Sequence, residues 1–231
     1  MEIKELLLDA GTKKVYATNQ ADQVIVAYNG APAGKGKKKD AGDHSDLNNA
    51  ISAFLFEYLE SYNVPTHFIR KLDGKSFLAK RTELVPIFLS MYNAASKSLA
   101  DRLNINEGQV LEYPIVEMYY DDEKKQRPMI NEYHAYALGL CERREMTSII
   151  RIATKVNAVL KSFFDRKKLK LVSFQLQFGR INNQILLADE VSLDTINLWL
   201  VNGDGSLQKT GEGEEKSQED IRELKARILG E

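Results

Sequence analysis

The clearest alternation of apolar and polar residues in the chain lies between residues 171 and 178. A period of two is typical of a strand that buries one face. Turn-forming residues follow at Gly179 to Asn183, and Gln184 to Ala188 is mainly apolar again, so the pattern predicts a β-hairpin. The returning strand runs into acidic residues at Asp189 and Glu190. The polar face of the first strand carries uncharged side chains, namely Ser173, Gln175 and Gln177.

The other periodicities predict a mixture of strands and helices. Short apolar runs in the first 91 residues predict several strands, and an apolar stripe after Ser45 or Asp46 predicts a helix that ends before Pro65. Further elements are predicted beyond this region: a short helix over 93–103, a strand over 110–120 with Pro114 at an edge or bulge, helices capped at Asn131 or Thr147, a long helix over 147–168 and a closing amphipathic helix.

These elements predict an α+β protein with two lobes. We expect a β-rich region over residues 1–85 and a larger α+β region over 86–202 that contains the hairpin. A stretch rich in Gly, Glu and Lys over 203–217 is interpreted as a flexible linker, and 218–231 as a C-terminal helix.

Composition narrows the class of protein without identifying a function. A net charge of −1 in 231 residues gives no electrostatic reason to expect a nucleic acid polymer or an anionic membrane as partner. No apolar run approaches the roughly 18 residues of a membrane helix. The lone Cys141 fits a reducing compartment and rules out a zinc site built from several cysteines. We therefore expect a cytoplasmic protein.

Few motifs with known chemistry stand out. The glycine-rich basic stretch from Gly30 to Lys39 lacks the spacing of a phosphate-binding P-loop, so both an exposed loop and a phosphate-gripping loop remain open interpretations. His44, His67 and His134 lie far apart in the sequence, which argues against a shared metal site.

Several ordered segments resemble SAICAR synthetase, the ligase of purine biosynthesis that joins aspartate to a carboxylated aminoimidazole ribonucleotide with ATP. The resemblance covers roughly residues 6 to 199 and implies a β-rich ATP lobe packed on a larger α+β lobe, an active site in the cleft and a homodimer. It is clearest in Leu47 to Ser52, Thr66 to Phe68, Arg102 to Gly108, Pro114 to Glu117, Pro128 to His134 and the hairpin through Asp194.

The resemblance also implies which side chains face the cleft, and several of them have lost their charge. Where the family strand reads Asp-Phe-Lys-Leu-Glu-Phe-Gly, this chain reads Ser-Phe-Gln-Leu-Gln-Phe-Gly from Ser173 to Gly179. Further substitutions replace a lysine by Gly11, acidic residues by Gly30 and Ala31, a glutamate by Phe88, a ribonucleotide-binding arginine by Tyr92, a glycine by Lys97, an aspartate by Arg127, a further arginine by Asn197 and a further aspartate by Leu200. Mg²⁺ at phosphate sites requires carboxylate ligands. We therefore expect these losses to prevent Mg²⁺ binding and to remove the ion pairs that would hold the substrate.

Our leading hypothesis is a catalytically degenerate family member that sequesters or senses a nucleotide-like small molecule. Under this hypothesis no cofactor is expected, no catalytic residue is assigned, and Asp189 is the one candidate metal ligand. The alternative is an active ATP-dependent synthetase, or a related amide-forming ligase, that uses ATP and Mg²⁺. A protein-binding module whose cleft is filled by Phe88 and Tyr92 is a third interpretation. The candidate ligand-binding residues are Lys13, Lys80, Tyr92, Asn93, Ser98, Arg102, Gln175, Gln177, Asp189, Asp194 and Asn197.

Overall fold

The computed structural model describes residues 2–28, 44–211 and 216–230, apart from the side chain of Glu123. The stretch from Gly30 to Lys39 lies outside the described residues, so its two interpretations stay predictions. No helix among the described residues is both long and apolar enough to cross a membrane.

An antiparallel sheet of five strands is formed by the first third of the chain. Its spatial order is β1-β2-β3-β5-β4. The central strand β3 is buried over three consecutive residues, Val24, Ile25 and Val26, so both of its faces are covered there. The strands are β1 (Ile3–Asp9), β2 (Lys13–Thr18), β3 (Gln23–Tyr28), β4 (Phe68–Lys71) and β5 (Ser76–Lys80).

A second sheet of seven strands follows in sequence. Its main path runs β12-β11-β9-β6-β7-β8, and β10 pairs with the second half of β9 to complete the hairpin. Its strands are β6 (Glu83–Ala94), β7 (Val110–Tyr120), β8 (Met129–Ile130), β9 (Leu169–Ile181), β10 (Gln184–Ala188), β11 (Ile196–Val201) and β12 (Leu207–Gln208). Pro114 lies in β7 where no strand of the described residues pairs on its second side, because β8 pairs only with Met118 and Tyr119. The predicted edge position of this proline is confirmed.

Five helices among the described residues cover the sheets. The helix α4 carries the predicted apolar stripe, and its buried residues Ile149, Ile152, Val156 and Leu160 belong to the core that it shares with β9. The helices are α1 (Ser45–Ser61), α2 (Lys97–Leu103), α3 (Glu132–Ala137), α4 (Arg143–Arg166) and α5 (Gln218–Leu229).

Two helix starts differ from the sequence prediction. The helix predicted from Asn93 begins later, because Ala94 still pairs with Val110 in the sheet and Ser96 caps α2 by accepting a hydrogen bond from the backbone of Leu99. The helix α4 begins before the predicted Thr147 because Glu142 and Glu145 form a capping box. Asn131 caps α3 as predicted.

The predicted region boundaries can be placed on the observed elements, and the predicted C-terminal helix corresponds to α5, which begins at Gln218. Strand β6 runs through the boundary between residues 85 and 86, and the predicted linker contains β12, which pairs with β11. The hairpin also ties the two sheets together, because the backbone N–H of His67 donates to the carbonyl of Leu187 at 2.9 Å. The end of β10 is therefore fixed against both sheets.

Candidate functional site

A lysine from the five-stranded sheet forms ion pairs with the acidic residues at the end of the hairpin. Lys13 at the start of β2 is buried, and its Nζ lies 2.5 Å from Asp189 and 2.8 Å from Glu190. Burial alone lowers the pKa of Lys13, but the attraction and hydrogen bonds of the two carboxylates outweigh burial and raise the pKa above its ordinary value. Glu190 also accepts a hydrogen bond from Ser192 Oγ at 2.6 Å. The Lys13 ammonium therefore forms ion pairs with both carboxylates.

This arrangement pairs both carboxylates of the acidic end with a cation of the protein itself. The two carboxylates already hold the Lys13 ammonium, and Gln177 donates its side-chain N–H to Asp121 Oδ2 at 2.5 Å. Among the residues that the structure describes, no group of three or more His, Cys, Asp or Glu side chains is arranged to hold a metal. A hard cation such as Mg²⁺ requires oxygen ligands that are free to turn toward it.

The cleft face of the seven-stranded sheet is organised in register across β7, β6 and β9. Alternate residues of these strands point to one face, so three transverse rows of side chains line the cleft. The rows are Tyr119, Phe88 and Gln177; Glu117, Ser90 and Gln175; and Ile115, Tyr92 and Ser173, the last extended by Asn197 of β11.

The middle and last rows border a small polar pocket of about 120 Å³. It is smaller than a typical ligand site of ~300–1,000 Å³, so it has room for one part of a larger ligand. Asn48 of α1 donates to Asp194 Oδ2 at 2.7 Å at its rim. Desolvation in the cleft raises the pKa of Asp194, and the nearby Glu190 raises it further. The pocket is lined by Ser90, Tyr92, Ser173, Phe174, Gln175, Asp194, Thr195, Ile196 and Asn197.

Aromatic side chains occupy the neighbouring row. The rings of Phe88 and Tyr119 are nearly parallel with centroids 5.0 Å apart, and the guanidinium of Arg127 lies 5.9 Å from the Phe88 centroid. Arg127 also pairs with Asp121 at 3.1 Å, and Asp121 is the acceptor for Gln177. Phe88 and Arg127, both of which differ from the residues that the family resemblance implies, thus belong to one packed group.

The arginine predicted to bind ligand is paired with a carboxylate. Arg102 Nη2 lies 2.6 Å from Glu117 Oε1, and the hydroxyl of Tyr119 donates to Glu117 Oε2 at 2.7 Å. Burial raises the pKa of Tyr92 and of Tyr119, and Glu117 raises both further. The two tyrosines therefore remain neutral hydrogen-bonding groups.

Seven of the eleven predicted ligand-binding residues are absent from the lining of the pocket. Arg102 and Gln177 pair with Glu117 and Asp121, as described above, and three others make contacts elsewhere. Asn93 points to the helix side of β6, where it is buried and exchanges hydrogen bonds of 2.7 and 3.0 Å with Asn157 of α4. Lys80 donates to the carbonyl of Thr66 at 3.0 Å. Ser98 is exposed on α2 with its Oγ 3.2 Å from that of Ser96. Tyr92, Gln175, Asp194 and Asn197 do share the pocket, whereas Lys13 and Asp189 lie in the ion cluster beside it.

The structure also brings in residues that sequence reasoning left out. Ser90 and Glu117 form the middle row with Gln175, and Asn48 holds Asp194. Ser90 lies two residues from both Phe88 and Tyr92 along β6, so the period of two already placed its side chain on the same face as theirs. The link between Asn48 and Asp194 joins residues 146 positions apart and has no local signal.

Two antiparallel sheets joined at the end of β10, with a small polar pocket on the second sheet, place the chain among two-lobe α+β proteins. Comparison with known proteins narrows this class, because a family model described as SAICAR synthetase matches residues 7–221. The chain belongs to the SAICAR synthetase family. This confirms the resemblance and the two-lobe α+β fold that it implied.

Curated relatives and solved structures agree with this assignment. A phosphoribosylaminoimidazole-succinocarboxamide synthase from Clostridium botulinum (strain Hall) is 42% identical over 201 residues, which are 86% of each chain. The synthase of the same name from Clostridium novyi (strain NT) is 41% identical over 198 residues, covering 85% of this chain and 84% of the relative.

Among solved structures, a SAICAR synthetase in complex with ADP is 31% identical and has a TM-score of 0.85, with 98% of both chains covered. The SAICAR synthetase from Pyrococcus horikoshii OT3 is 32% identical with a TM-score of 0.82, covering 95% of this chain and 98% of that one.

Proposed function

We propose that this member of the SAICAR synthetase family binds a nucleotide-like small molecule in its cleft and holds it without efficient ligation, as a sequestering or sensing protein. The observation that carries the proposal is the set of cleft rows. Positions where the family resemblance implies arginine, aspartate, lysine and glutamate carry Tyr92, Ser173, Gln175 and Gln177, and these side chains face the cleft in register.

The binding free energy lost with the family's cations supports binding without turnover. A hydrogen bond to a charged group contributes about 1.5–3 kcal/mol. Three cations implied by the family are replaced at Tyr92, Gln175 and Asn197, so the loss is roughly 4–9 kcal/mol of anion binding if the contributions add. Phosphoryl transfer depends on metal charge and positioning, and the carboxylates of Asp189 and Glu190 are held by Lys13.

The residues that replace the family's charged side chains also make contacts with one another. Gln177, Asp121, Arg127 and Phe88 form one connected group of a hydrogen bond, an ion pair and a cation–ring contact. A carboxylate in place of Gln177 would face Asp121. An abandoned site that drifted without constraint has no reason to acquire such a matched group, whereas a cleft that still holds a ligand does.

Calorimetry tests this proposal with the full-length protein and a panel of purine nucleotides, linear and cyclic, with and without Mg²⁺. We expect at least one nucleotide to bind, and we expect its affinity to be independent of Mg²⁺ because the acidic end is occupied by Lys13. Absence of binding by every nucleotide in the panel would contradict the proposal.

An active ATP-dependent ligase is the second candidate function. The identity of 42% to a curated synthase and the likeness to a synthetase solved with ADP favour it. In that case ATP and Mg²⁺ would be required for activity, with aspartate and the carboxylated ribonucleotide as substrates. Release of ADP in the presence of these components separates the two candidates.

We also propose that the protein is a cytoplasmic homodimer that uses neither a nucleic acid polymer nor a membrane as partner. The family resemblance supports the dimer, and the near-neutral net charge of −1 supports the absence of polyanionic partners. Light scattering coupled to gel filtration tests the dimer, for which we expect twice the chain mass of 26.2 kDa.

A further inference from the structure

A second pocket lies at the far end of the strands that carry the polar pocket of the cleft. Its volume is about 420 Å³, within the ~300–1,000 Å³ of small-molecule sites. Along β11, Asn197 lines the polar pocket and Val201 lines the second one, so four residues, or roughly 13 Å of strand, separate the two. This second site, the distal pocket, is lined by Lys167, Lys168, Val201, Asn202, Gly203 and Arg227.

Cations from two helices meet at the distal pocket, and none of the described residues that line it is acidic. Lys167 caps the end of α4, Lys168 follows it, and Arg227 lies in the last turn of α5. A helix end favours a cation by itself, because its unpaired carbonyls carry partial negative charge. Here the fold brings the cations of two helix ends to one cavity, and such a group of cations suits an anionic ligand.

The guanidinium of Arg227 is held in a fixed position at one wall. Its Nη1 donates to the backbone carbonyl of Lys168 at 2.6 Å, and its Nε donates to Glu223 Oε1 at 2.7 Å. The same Lys168 carbonyl accepts the backbone N–H of Val201 at 2.9 Å. The ends of α4, β11 and α5 therefore meet at this carbonyl. A guanidinium carries five N–H donors in a planar fork that matches a phosphate group.

The carboxylates near the distal pocket do not line it. Glu223 pairs with Arg227, and Asp204 accepts hydrogen bonds from the backbone N–H and the hydroxyl of Ser206 at 2.9 and 2.7 Å. Asp165 and Asp204 are exposed, so solvent and salt screen their charges. The three cations that line the pocket therefore dominate its short-range interactions with a ligand.

The backbone of Lys168 adopts a conformation that disfavours a lysine. Its φ is 56°, in the left-handed region. The left-handed residues at the ends of α1, α2 and α5 are Asn63, Asn104 and Gly230, which belong to the residue types that adopt this conformation at low cost. Strain that is kept at one residue points to a use for its side chain. At Lys168 that side chain is a cation of the distal pocket.

We propose that the distal pocket binds a small organic phosphate monoester, at a site separate from the cleft. The dianionic phosphate pairs with the three cations, and the fork of Arg227 is its fixed partner. The carbon body of the ligand packs on Val201 and on the methylene stems of the lysines. The site does not depend on the proposed function, because it shares no lining residue with the polar pocket of the cleft.

The test is an NMR titration of the ¹⁵N-labelled full-length protein with phenyl phosphate, inorganic phosphate and benzyl alcohol. We expect phenyl phosphate to shift the backbone amides of Val201 and Gly203, whatever happens at Gln175 and Asn197 in the cleft. Because the ring adds apolar contact, we expect phenyl phosphate to bind at least about tenfold tighter than inorganic phosphate. Benzyl alcohol lacks the anion and should cause no saturable shift.

Variants at Lys168 separate ligand binding from a structural role. We expect Lys168→Gly to weaken the binding of phenyl phosphate at least about tenfold, because one charge-assisted contact is lost. The same variant should have a higher urea midpoint than the wild type, because glycine relieves the strain at φ 56°. Lys168→Arg keeps the cation and should bind phenyl phosphate within about threefold of the wild type.

Gly203 offers a second test that leaves all three cations in place. A Cβ added there would meet no atom of the described residues within 4 Å apart from its chain neighbours, so a side chain fits without disturbing the wall. We expect Gly203→Asp to weaken the binding of phenyl phosphate at least about tenfold, because its carboxylate would pair with the cations. Gly203→Asn has the same shape without the charge and should stay within about threefold of the wild type.

The proposal is overturned if phenyl phosphate leaves the amides of Val201 and Gly203 unmoved, or if inorganic phosphate binds as tightly as phenyl phosphate. It is also overturned if Lys168→Gly or Gly203→Asp binds as the wild type does. A urea midpoint of Lys168→Gly below that of the wild type would assign the lysine a structural role instead, and Gly203→Asp decides if Lys168→Gly fails to fold. Absence of nucleotide binding in the cleft would contradict the proposed function alone, because the amides of Val201 and Gly203 report on the distal pocket separately.

Discussion

At the scale of single residues, the cations that the sequence assigned to ligand binding have partners within the protein. Lys13 holds Asp189 and Glu190, Arg102 holds Glu117, and Lys80 donates to the carbonyl of Thr66. A buried ion pair contributes little net stability compared with an apolar replacement of the whole pair, yet removing one partner leaves an uncompensated charge. Lys13, Asp189 and Glu190 therefore contribute to the stability of the fold as well as lying close to the cleft.

Replacing Lys13 tests this directly. We expect Lys13→Met to lower the free energy of unfolding by about 3–5 kcal/mol, because the buried Glu190 and the partly buried Asp189 would remain without their cation. Lys14→Met is the matched control: Lys14 is more exposed and lies 3.5 Å from Asp9, so its loss should cost about 0.5 kcal/mol or less. Urea denaturation at pH 7 measures both, and equal effects of the two substitutions would contradict the assignment.

His67 gives a pH-dependent prediction. Burial, followed by repulsion from Lys13 and Lys80, lowers its pKa to about 3. The unfolded chain takes up a proton at this side chain near pH 6.5 while the folded protein does not, so stability falls as the pH drops from about 6.5 toward 3. His67→Phe removes the titrating group and keeps a ring beside Phe56 and Phe77.

We expect the wild type to lose about 1.5 kcal/mol more than His67→Phe between pH 6.5 and pH 5. Urea denaturation at half-unit pH intervals supplies the comparison, and Tyr62→Phe controls for a change at an exposed aromatic residue. Parallel stability curves for the wild type and His67→Phe would show that His67 does not stay neutral in the fold.

At the scale of elements, the alternating core of β9 could be predicted from the sequence, whereas the contacts of its polar side chains could not. The period of two identified which side chains share one face, and the structure confirms the hairpin. Its turn is shorter than predicted, because Gly179, Arg180 and Ile181 pair with β10 and only Asn182 and Asn183 lie between the two strands. The partner of Gln177 is Asp121, which lies after β7, so only the folded sheet brings the two together. Local pattern also misplaced Asn93, because the pairing of Ala94 with Val110 extends β6 beyond the point where helix propensity suggested an end.

A substitution in β9 tests the matched group around Gln177. We expect Gln177→Glu to lower the free energy of unfolding at pH 7 by about 1–3 kcal/mol, since a donor at 2.5 Å from Asp121 becomes a second carboxylate. Gln175→Glu lies two residues away on the same face and is exposed, so it should change stability by about 0.5 kcal/mol or less.

Because two neighbouring carboxylates raise the pKa of one of them, the deficit of Gln177→Glu should shrink as the pH falls toward 5. Urea denaturation at pH 7 and pH 5 follows this change. If Gln177→Glu is as stable as the wild type at pH 7, Gln177 and Asp121 are not coupled and the packing argument for a retained ligand loses its basis.

At the scale of the whole molecule, the fold and the site chemistry diverge. The two sheets, the hairpin and the apolar core follow the family, whose model matches residues 7–221. The face of the second sheet carries a small polar pocket, in which Tyr92 and Gln175 occupy positions where the family resemblance implies charged residues. Sequence reasoning reached the fold through periodicity and ordered segments, but it could not find contacts such as Asn48 with Asp194, which depend on how the sheets meet.

The central claim is that this cleft binds without ligating, and the most direct measurement is release of ADP by the full-length protein. The assay supplies ATP, Mg²⁺, aspartate and the carboxylated aminoimidazole ribonucleotide, with an active family synthase in parallel as positive control. We expect release at the level of the enzyme-free background while the control turns over. Sustained release within the ordinary enzyme range of about 1–10³ per second, dependent on aspartate and the ribonucleotide, would establish the ligase instead.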